Sequence, residues 1–281
     1  MSESYPQCCP ANLKKHDPCD SAAYWRNLCC LKYARDRGCL WTNTVWVRAC
    51  ENADFFILQY ALDNACPIDV ETFQVNCCQN LETLKFMRFT VGCKSWNEET
   101  CSKFAKEGKL DCLRYAHENG CLWDDRTTTA AAADGHLECL RYAFKEGCPI
   151  AVSSFCRELI ESRQTNSIEC LEFGMNNGAS TADPALILVA ARHYNSEFLS
   201  YLHQRGLSIT EDVVLETVKT GRIDSFIYCM QHKIPFNLSL CILVAESQMF
   251  GHPHHYRIHQ AIYSYCMRLE RAGKCFAKLG K

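Results

Sequence analysis

The sequence predicts an all-α fold, a helical solenoid of about eight short helix-turn-helix repeats. The main observation is that an aliphatic residue or Phe, followed two places later by an aromatic residue, recurs every 26 to 31 residues. The first members are Leu31, Leu58, Leu84, Leu113, Leu140, Leu171, Leu199 and Phe226. The second members are Tyr33, Tyr60, Phe86, Tyr115, Tyr142, Phe173, Tyr201 and Tyr228. Such a period is typical of stacked repeats, which build long surfaces rather than deep catalytic pockets.

The second observation is the pattern inside one unit, where residues 108–116 align with residues 135–143. A small, alanine-rich first helix is predicted over 127–134 and a second helix over 137–146. The second helix has one apolar face, formed by Leu137, Leu140, Ala143 and Phe144. Since one such pair cannot bury its own apolar face, we expect the recurring anchors and aromatics to pack in a shared core.

The third observation is a Gly-Cys pair after each of several second helices, at Gly38-Cys39, Gly120-Cys121 and Gly147-Cys148. Glycine commonly ends a helix, because it adopts a left-handed conformation without strain. Gly92-Cys93 keeps the pair with one extra residue before it, and later units keep only the glycine. We therefore predict a turn at each of these positions.

Three segments are expected along the chain. Residues 1–20 are polar and are predicted to form a flexible N-terminal arm. Residues 21–250 form the repeats, with an insertion near 162–166 and an incomplete ninth unit whose first helix covers 238–248. Residues 251–281 are predicted to form a basic C-terminal capping helix, since end repeats need a polar outer face.

Composition argues against several other classes of protein. The formal net charge is -2, so the chain as a whole has no field that attracts nucleic acid or an anionic membrane. Its 22 cysteines would indicate a disulfide scaffold in a secreted protein, but residues 1–20 contain no apolar signal segment. We expect reduced thiols in an intracellular compartment, the cytoplasm or the nucleus. The longest apolar runs, 185–191 and 240–245, are too short to span a membrane.

The unit resembles the ankyrin repeat, most clearly over residues 131–140, where a small helix, a Gly-His-Leu-Glu turn and a longer helix follow one another. The short Cys-rich form at 112–124 is similar to the ankyrin-like repeats of giant DNA viruses and some protists. The likeness is strong over 101–150 and weaker, but in register, over 28–236. It implies a curved helical solenoid that binds protein partners, with most of the hairpin between repeats removed.

Trp41, Trp96 and Trp123 recur after the Gly-Cys turns. One interpretation is that they anchor a partner, because Trp is enriched at binding hot spots. We favour the other, that they cover the seam between adjacent units. The segment Ile234-Pro235-Phe236 also resembles the opening of an F-box, a docking module for ubiquitin ligases. Because Pro235 aligns with Pro149 of an ordinary unit, we favour a repeat there too.

The C-terminal segment carries an apolar stripe at helical spacing, formed by Ile258, Ile262, Tyr265, Cys266, Leu269 and Phe276. It also carries the basic residues Arg257, Arg268, Arg271, Lys274, Lys278 and Lys281, against the single acid Glu270. We favour a capping helix with a basic solvated side. The alternative is a basic patch that contacts nucleic acid or an acidic protein.

Two clusters have the residue types that bind zinc. One comprises Cys8, Cys9, His16 and Cys19. The other comprises His252, His254, His255 and His259. Neither has the spacing of a standard site, and the sequence contains neither a Gly-x-Ser-x-Gly motif nor a phosphate-binding loop. We therefore assign no catalytic, cofactor-binding or metal-binding residue.

The predicted function is that of a non-enzymatic protein–protein interaction scaffold or adaptor, whose concave face, made by the first helices and turns, binds a protein. The alternative is a structural subunit of a large assembly, such as a virion or a ribonucleoprotein particle. No membrane and no small-molecule substrate are expected as partners, and nucleic acid only through the basic C-terminal helix.

Overall fold

A computed structural model describes residues 17–151, 154–162, 167–180, 183, 185–193, 196–249 and 256–271. Within these residues the chain forms seventeen α-helices, one 3-10 turn and one π-helical segment, and no β-strand. The predicted all-α class is therefore confirmed. In the described part of the chain, every helix is too short or too polar to cross a lipid bilayer.

The chain divides into two compact units. One contains residues 17–131 and 138–149, and the other contains residues 132–137 and the described residues between 150 and 271. Up to residue 149 the helices are α1 (Pro18–Tyr24), α2 (Leu28–Asp36), α3 (Thr44–Glu51), α4 (Phe55–Asp63), α5 (Leu81–Lys85), α6 (Glu98–Lys106), α7 (Leu110–Glu118), α8 (Asp125–Ala133) and α9 (Leu137–Lys145). Beyond it they are α10 (Phe155–Glu161), α11 (Ser167–Asn176), α12 (Leu186–Arg192), α13 (Glu197–Gln204), α14 (Glu211–Lys219), α15 (Ile223–Gln231), α16 (Leu238–Met249) and α17 (Tyr256–Arg271).

Within each unit, consecutive helices pack in pairs, and several pairs also contact the next pair. In the first unit α1 packs on α2, α3 on α4 and α6 on α7, while α1 also packs on α3. In the second unit α10 packs on α11, α12 on α13, α14 on α15 and α16 on α17. There α10, α12, α14 and α16 also contact one another in succession. The first helix of each pair therefore packs between its partner and its neighbours.

The recurring anchors form the core of these contacts, as predicted. All eight first members, from Leu31 to Phe226, are 0% exposed. The aromatic residues two places later are half-buried rather than enclosed. Anchors thus fill the interior of each pair, and the aromatics lie at its edge.

The turns after the second helices repeat as well. A residue with positive φ ends each one, and these residues are Gly38, Ala65, Gly92, Gly120, Gly147, Gly178, Gly206 and Lys233. Their spacings are 27, 27, 28, 27, 31, 28 and 27 residues. The amide of the following residue donates to the carbonyl five residues earlier, as from Cys148 to Ala143 at 2.9 Å. This geometry satisfies carbonyls that the end of a helix otherwise leaves unpaired.

The extra residue before Gly92 is accommodated by a π-helical segment, Phe86–Val91. There the Cys93 amide donates to the carbonyl of Met87, six residues earlier instead of five, at 2.9 Å. A π-bulge inserts one residue into a helix without ending it. The insertion therefore leaves the turn at Gly92 and its φ of +88° like the others.

The third repeat departs from the predicted helix-turn-helix pattern, because a 3-10 turn, Val75–Cys77, replaces its first helix. Asp69 explains part of the change: its carboxylate accepts hydrogen bonds from the Glu71 amide at 3.0 Å and the Thr72 hydroxyl at 2.8 Å. Such side-chain bonds to nearby groups compete with helix formation. Pro67, just upstream, has no amide to donate.

At the C-terminal end, α16 covers the predicted first helix of the ninth repeat. Helix α17 packs on α15 and α16 as a capping helix would. The predicted apolar stripe is wrong at Ile258, which is exposed, while His259 is buried in its place. The reason is Gly221, which has no side chain and so lets the His259 ring approach and donate a hydrogen bond from Nε2 to the Lys219 carbonyl, 3.3 Å away. Phe276 lies outside the described residues.

At the other end, α1 already begins at Pro18, inside the segment predicted to be an arm. The Asp17 carboxylate caps it by accepting hydrogen bonds from the amides of Cys19 and Asp20. The rest of the predicted arm lies outside the described residues, as does most of the predicted insertion near 162–166.

Candidate functional site

The cysteines that follow the left-handed turn residues link one repeat to the one before it. The thiols of Cys66, Cys121 and Cys148 donate to backbone carbonyls 24 residues earlier, at 3.5, 3.2 and 3.1 Å. Burial raises the pKa of the Cys148 thiol to about 12, so it remains a neutral donor. The recurring cysteine is therefore a structural residue that holds successive loops together.

These thiols form no disulfide, and neither do Cys50, Cys101 or Cys139. The prediction of reduced thiols is confirmed at these positions. It is wrong at Cys30, which is disulfide-bonded. None of the other described cysteines is its partner, because all of them carry thiols.

The recurring tryptophans lie where one repeat packs on the next, which is the interpretation favoured above. Each packs edge-on against the tyrosine of the next repeat, with ring centroids 5.8 Å apart for Trp41 and Tyr60. The distances are 6.3 Å for Trp96 and Tyr115 and 6.0 Å for Trp123 and Tyr142. Pairs of this kind add stability beyond the area they bury.

A basic or imidazole side chain from the preceding helix covers the face of each tryptophan. Arg35 lies 4.4 Å from the Trp41 ring, and Arg88 lies 3.8 Å from the Trp96 ring. The His117 ring stacks on Trp123 at 3.5 Å. Because each ring has contacts on its face and its edge, these tryptophans are poor anchors for a partner.

The leucines beside two of these tryptophans are different. Leu40 and Leu122 follow equivalent Gly-Cys turns, and they are 84% and 67% exposed. In both loops the preceding cysteine is at least half-buried and the following tryptophan packs on a tyrosine. The loop is thereby fixed while the leucine points outward. The signal for these residues is the sequence Gly-Cys-Leu-Trp, which occurs at 38–41 and again at 120–123.

A groove runs between successive loops in each unit. In the first unit it is lined by residues 41–43 and 67–69. In the second unit its counterpart is lined by residues 209–211 and 235–237, where the Asn237 amide donates to the Glu211 carboxylate at 3.2 Å. Ile234 and Phe236 are buried beside it, so this segment packs as an ordinary inter-repeat loop.

Separate from these loops, three cysteines meet in the interior of the first unit. The sulfurs of Cys50, Cys77 and Cys78 all lie within 4.8 Å of one another. Cys50 lies at the end of α3. Cys77 lies in the 3-10 turn of the irregular third repeat, and Cys78 directly follows that turn. The Gln79 amide donates to the Cys50 carbonyl at 3.2 Å and joins the two segments.

Hydrogen bonds inside this cluster lower the pKa of its middle member, Cys77. Hydrogen bonds from the Cys50 and Cys78 thiols, together with the charge of Lys103, lower the pKa of Cys77 to about 4. The hydrogen bond to Cys77 in turn raises the pKa of Cys50. Lys109 donates to the Cys78 carbonyl at 3.0 Å and is also ion-paired with the Glu107 carboxylate.

Sequence reasoning missed this cluster, although a signal was present. Cys50 and Cys77 are 27 residues apart, which is one period, so they occupy equivalent positions in consecutive units. Stacked repeats bring equivalent positions together. The sequence pattern does not show that the third repeat has lost its first helix, and this loss places Cys78 beside them.

The two clusters predicted from the sequence lie mostly outside the described residues. In the first, Cys19 is buried in α1, and its thiol points at the Cys39 carbonyl, 3.9 Å away. In the second, His259 is buried against Lys219. Of the basic C-terminal residues, Arg257, Arg268 and Arg271 are exposed, and the three lysines are not described.

Comparison with known proteins adds no further constraint on the function. No model of a protein family matches the sequence, and a search of curated proteins finds no relative.

Proposed function

We propose that this chain is a non-enzymatic intracellular scaffold, an ankyrin-like stack of helix pairs that binds a protein partner through the loops between its repeats. One observation carries the proposal: two equivalent loops are fixed by internal contacts, yet each exposes a large leucine. Exposed apolar residues at ordered positions favour association with another protein.

The contacts around each leucine explain why a loop can contribute affinity. Trp41 and Trp123 hold their loops against the following repeat, so little backbone entropy is lost when a partner binds. A leucine moved from water into a partner contributes about 1.5–3 kcal/mol. The grooves beside residues 41–43 and 209–211 supply room for partner side chains.

The test is quantitative affinity capture from the source cells with the full chain and the double variant L40S/L122S. We expect proteins enriched by the native chain to be depleted at least about tenfold with the double variant, since two leucine contacts are lost. L243S is the matched control, because Leu243 is 62% exposed, close to the 67% of Leu122, but lies on α16.

Equal capture by the native chain and L40S/L122S would contradict the proposed surface. Recovery of the chain only inside a large particle would instead support the alternative of a structural subunit.

A further inference from the structure

We propose that Cys50, Cys77 and Cys78 form a three-thiolate binding site for a soft metal ion, with monovalent copper as the best fit. The site lies in the interior of the first unit, away from the loops discussed above. It therefore adds a function to the scaffold and does not depend on the partner.

The spacing of the sulfurs fits such an ion. A metal–sulfur bond of about 2.3 Å places the three sulfurs of a trigonal site about 4 Å apart. The three sulfurs here already lie within 4.8 Å of one another. Each sulfur therefore needs to move by less than about 1 Å to bind the same ion.

The number of ligands and their burial favour copper over zinc. Protein zinc sites are almost always four-coordinate, with a fourth side chain or a water molecule. In the described part of the chain, no other His, Cys, Asp or Glu joins the three sulfurs. Cys50 and Cys78 are fully buried and Cys77 is 7% exposed, which leaves no open position for water. Soft thiolate ligands bind both monovalent copper and zinc, so the coordination number of three is what favours copper.

Nearby positive charges offset the charge of the complex. Three thiolates and one monovalent cation carry two net negative charges, which are costly to bury unless they are paired. Lys109 donates to the carbonyl of Cys78 and its side chain is itself mostly buried. Lys103 lies on α6, which packs against the 3-10 turn that carries Cys77. Lys109 is also ion-paired with the Glu107 carboxylate, so the two lysines reduce the negative charge of the complex without cancelling it.

The ligands are also positioned before an ion binds. The end of α3 fixes Cys50, and the Gln79 amide ties the second segment to it. The Cys78 amide donates to the Val75 carbonyl at 3.1 Å and closes the turn that carries Cys77. Binding requires only that the thiol protons pass to solvent and that the Cys77 sulfur leave the Gln74 carbonyl, 3.4 Å away.

The experiment titrates the reduced, metal-free full chain with Cu(I) in the absence of oxygen, against a chelator of known affinity. Each cysteine is then assayed by alkylation and peptide mass spectrometry. We expect one tightly bound equivalent that protects Cys50, Cys77 and Cys78 together. C77S should bind more than about tenfold more weakly, while C139S, which removes a buried thiol outside the cluster, should bind like the native chain.

Equal affinity of C77S and the native chain, or protection of other cysteines instead of these three, would overturn the proposal. Circular dichroism checks that C77S is folded, and if it is not, the protection pattern of the native chain decides. Protection of the three cysteines by Zn(II) but not by Cu(I) would overturn the choice of ion.

Discussion

Gly174 shows how one residue sets the distance between two helices. It lies inside α11, and a Cβ atom at this position would overlap the ring of Phe155 on α10. A glycine within a helix normally costs about 1 kcal/mol relative to alanine. Here the close approach of the aromatic ring outweighs that preference.

We therefore expect G174A to lower the free energy of unfolding by about 1–3 kcal/mol, because Phe155 must leave its position. The measurement is urea unfolding followed by circular dichroism. S239A is the control, since Ser239 is exposed on a helix and its replacement should change stability by a few tenths of a kcal/mol at most. A G174A chain as stable as the native one would show that the ring has room to move.

The buried thiols predict a pH dependence. Burial raises the pKa of several cysteines from the ordinary value of 9.0 to about 12, and these are Cys66, Cys148, Cys229, Cys241 and Cys266. Above pH 9.0 the unfolded chain loses these protons before the folded chain does, so it binds fewer protons and folding becomes less favourable. Stability is therefore complete below pH 9.0 and is lost between pH 9.0 and about 12.

The urea midpoint of the reduced chain should accordingly fall between pH 8 and pH 10, about one unit on either side of the ordinary thiol pKa. In C148A the fall should be smaller, because one of the titrating groups is absent. A midpoint that is constant or rises over this range would mean that the thiols are not buried as described.

At the scale of elements, the sequence predicts the helices that follow the repeat period and fails where local chemistry overrides it. The predicted helix over 137–146 is α9, Leu137–Lys145, and Gly147 ends it in the predicted left-handed conformation. The first helix of the third repeat is missing, in part because hydrogen bonds to Asp69 compete with helix formation there. The face of α17 was misassigned because it depends on a distant residue, Gly221.

The left-handed turns predict a reciprocal pair of variants. Ala65 occupies a turn with a φ of +51°, where most repeats have glycine, and a left-handed residue with a side chain costs about 1–2 kcal/mol. A65G should therefore raise the free energy of unfolding by about 1 kcal/mol. G147A should lower it by a similar amount, because its φ of +85° strains a residue that has a side chain. Nothing lies within 4 Å of the added methyl group, so steric contact does not contribute. Effects of the same sign in both variants would refute the backbone explanation.

The π-helical segment predicts that the third repeat can lose one residue and still fold. Thr90 is exposed. Its deletion would place the Cys93 amide five residues after the Met87 carbonyl that it bonds, the spacing found at the other turns. We expect this deletion to retain the native circular dichroism and to shift the melting temperature by only a few degrees. Deletion of Ala116, which is fully buried in the regular helix α7, is the comparison and should unfold that repeat. Equal damage by both deletions would contradict the bulge.

For the whole molecule, periodicity predicts more than composition does. The anchors, the Gly-Cys turns and the seam tryptophans all follow from it, since each occupies an equivalent position in successive units. The exposed Leu40 and Leu122 and the three-cysteine cluster do not, because both depend on which neighbours surround a residue. The charge and cysteine count predict neither of them.

The central claim is that the chain is a series of interchangeable helix pairs held together by contacts with their neighbours. Deletion of residues 109–135 removes one period of 27 residues and joins Gly108 to His136, so the remaining helices stay in register. Deletion of residues 109–122 removes about half a period and serves as the control.

The measurement is circular dichroism with thermal unfolding of both chains. The account predicts that the 27-residue deletion keeps the helical signal per residue and melts cooperatively at a lower temperature, while the shorter deletion loses both. Loss of helicity to the same extent in both chains would contradict it.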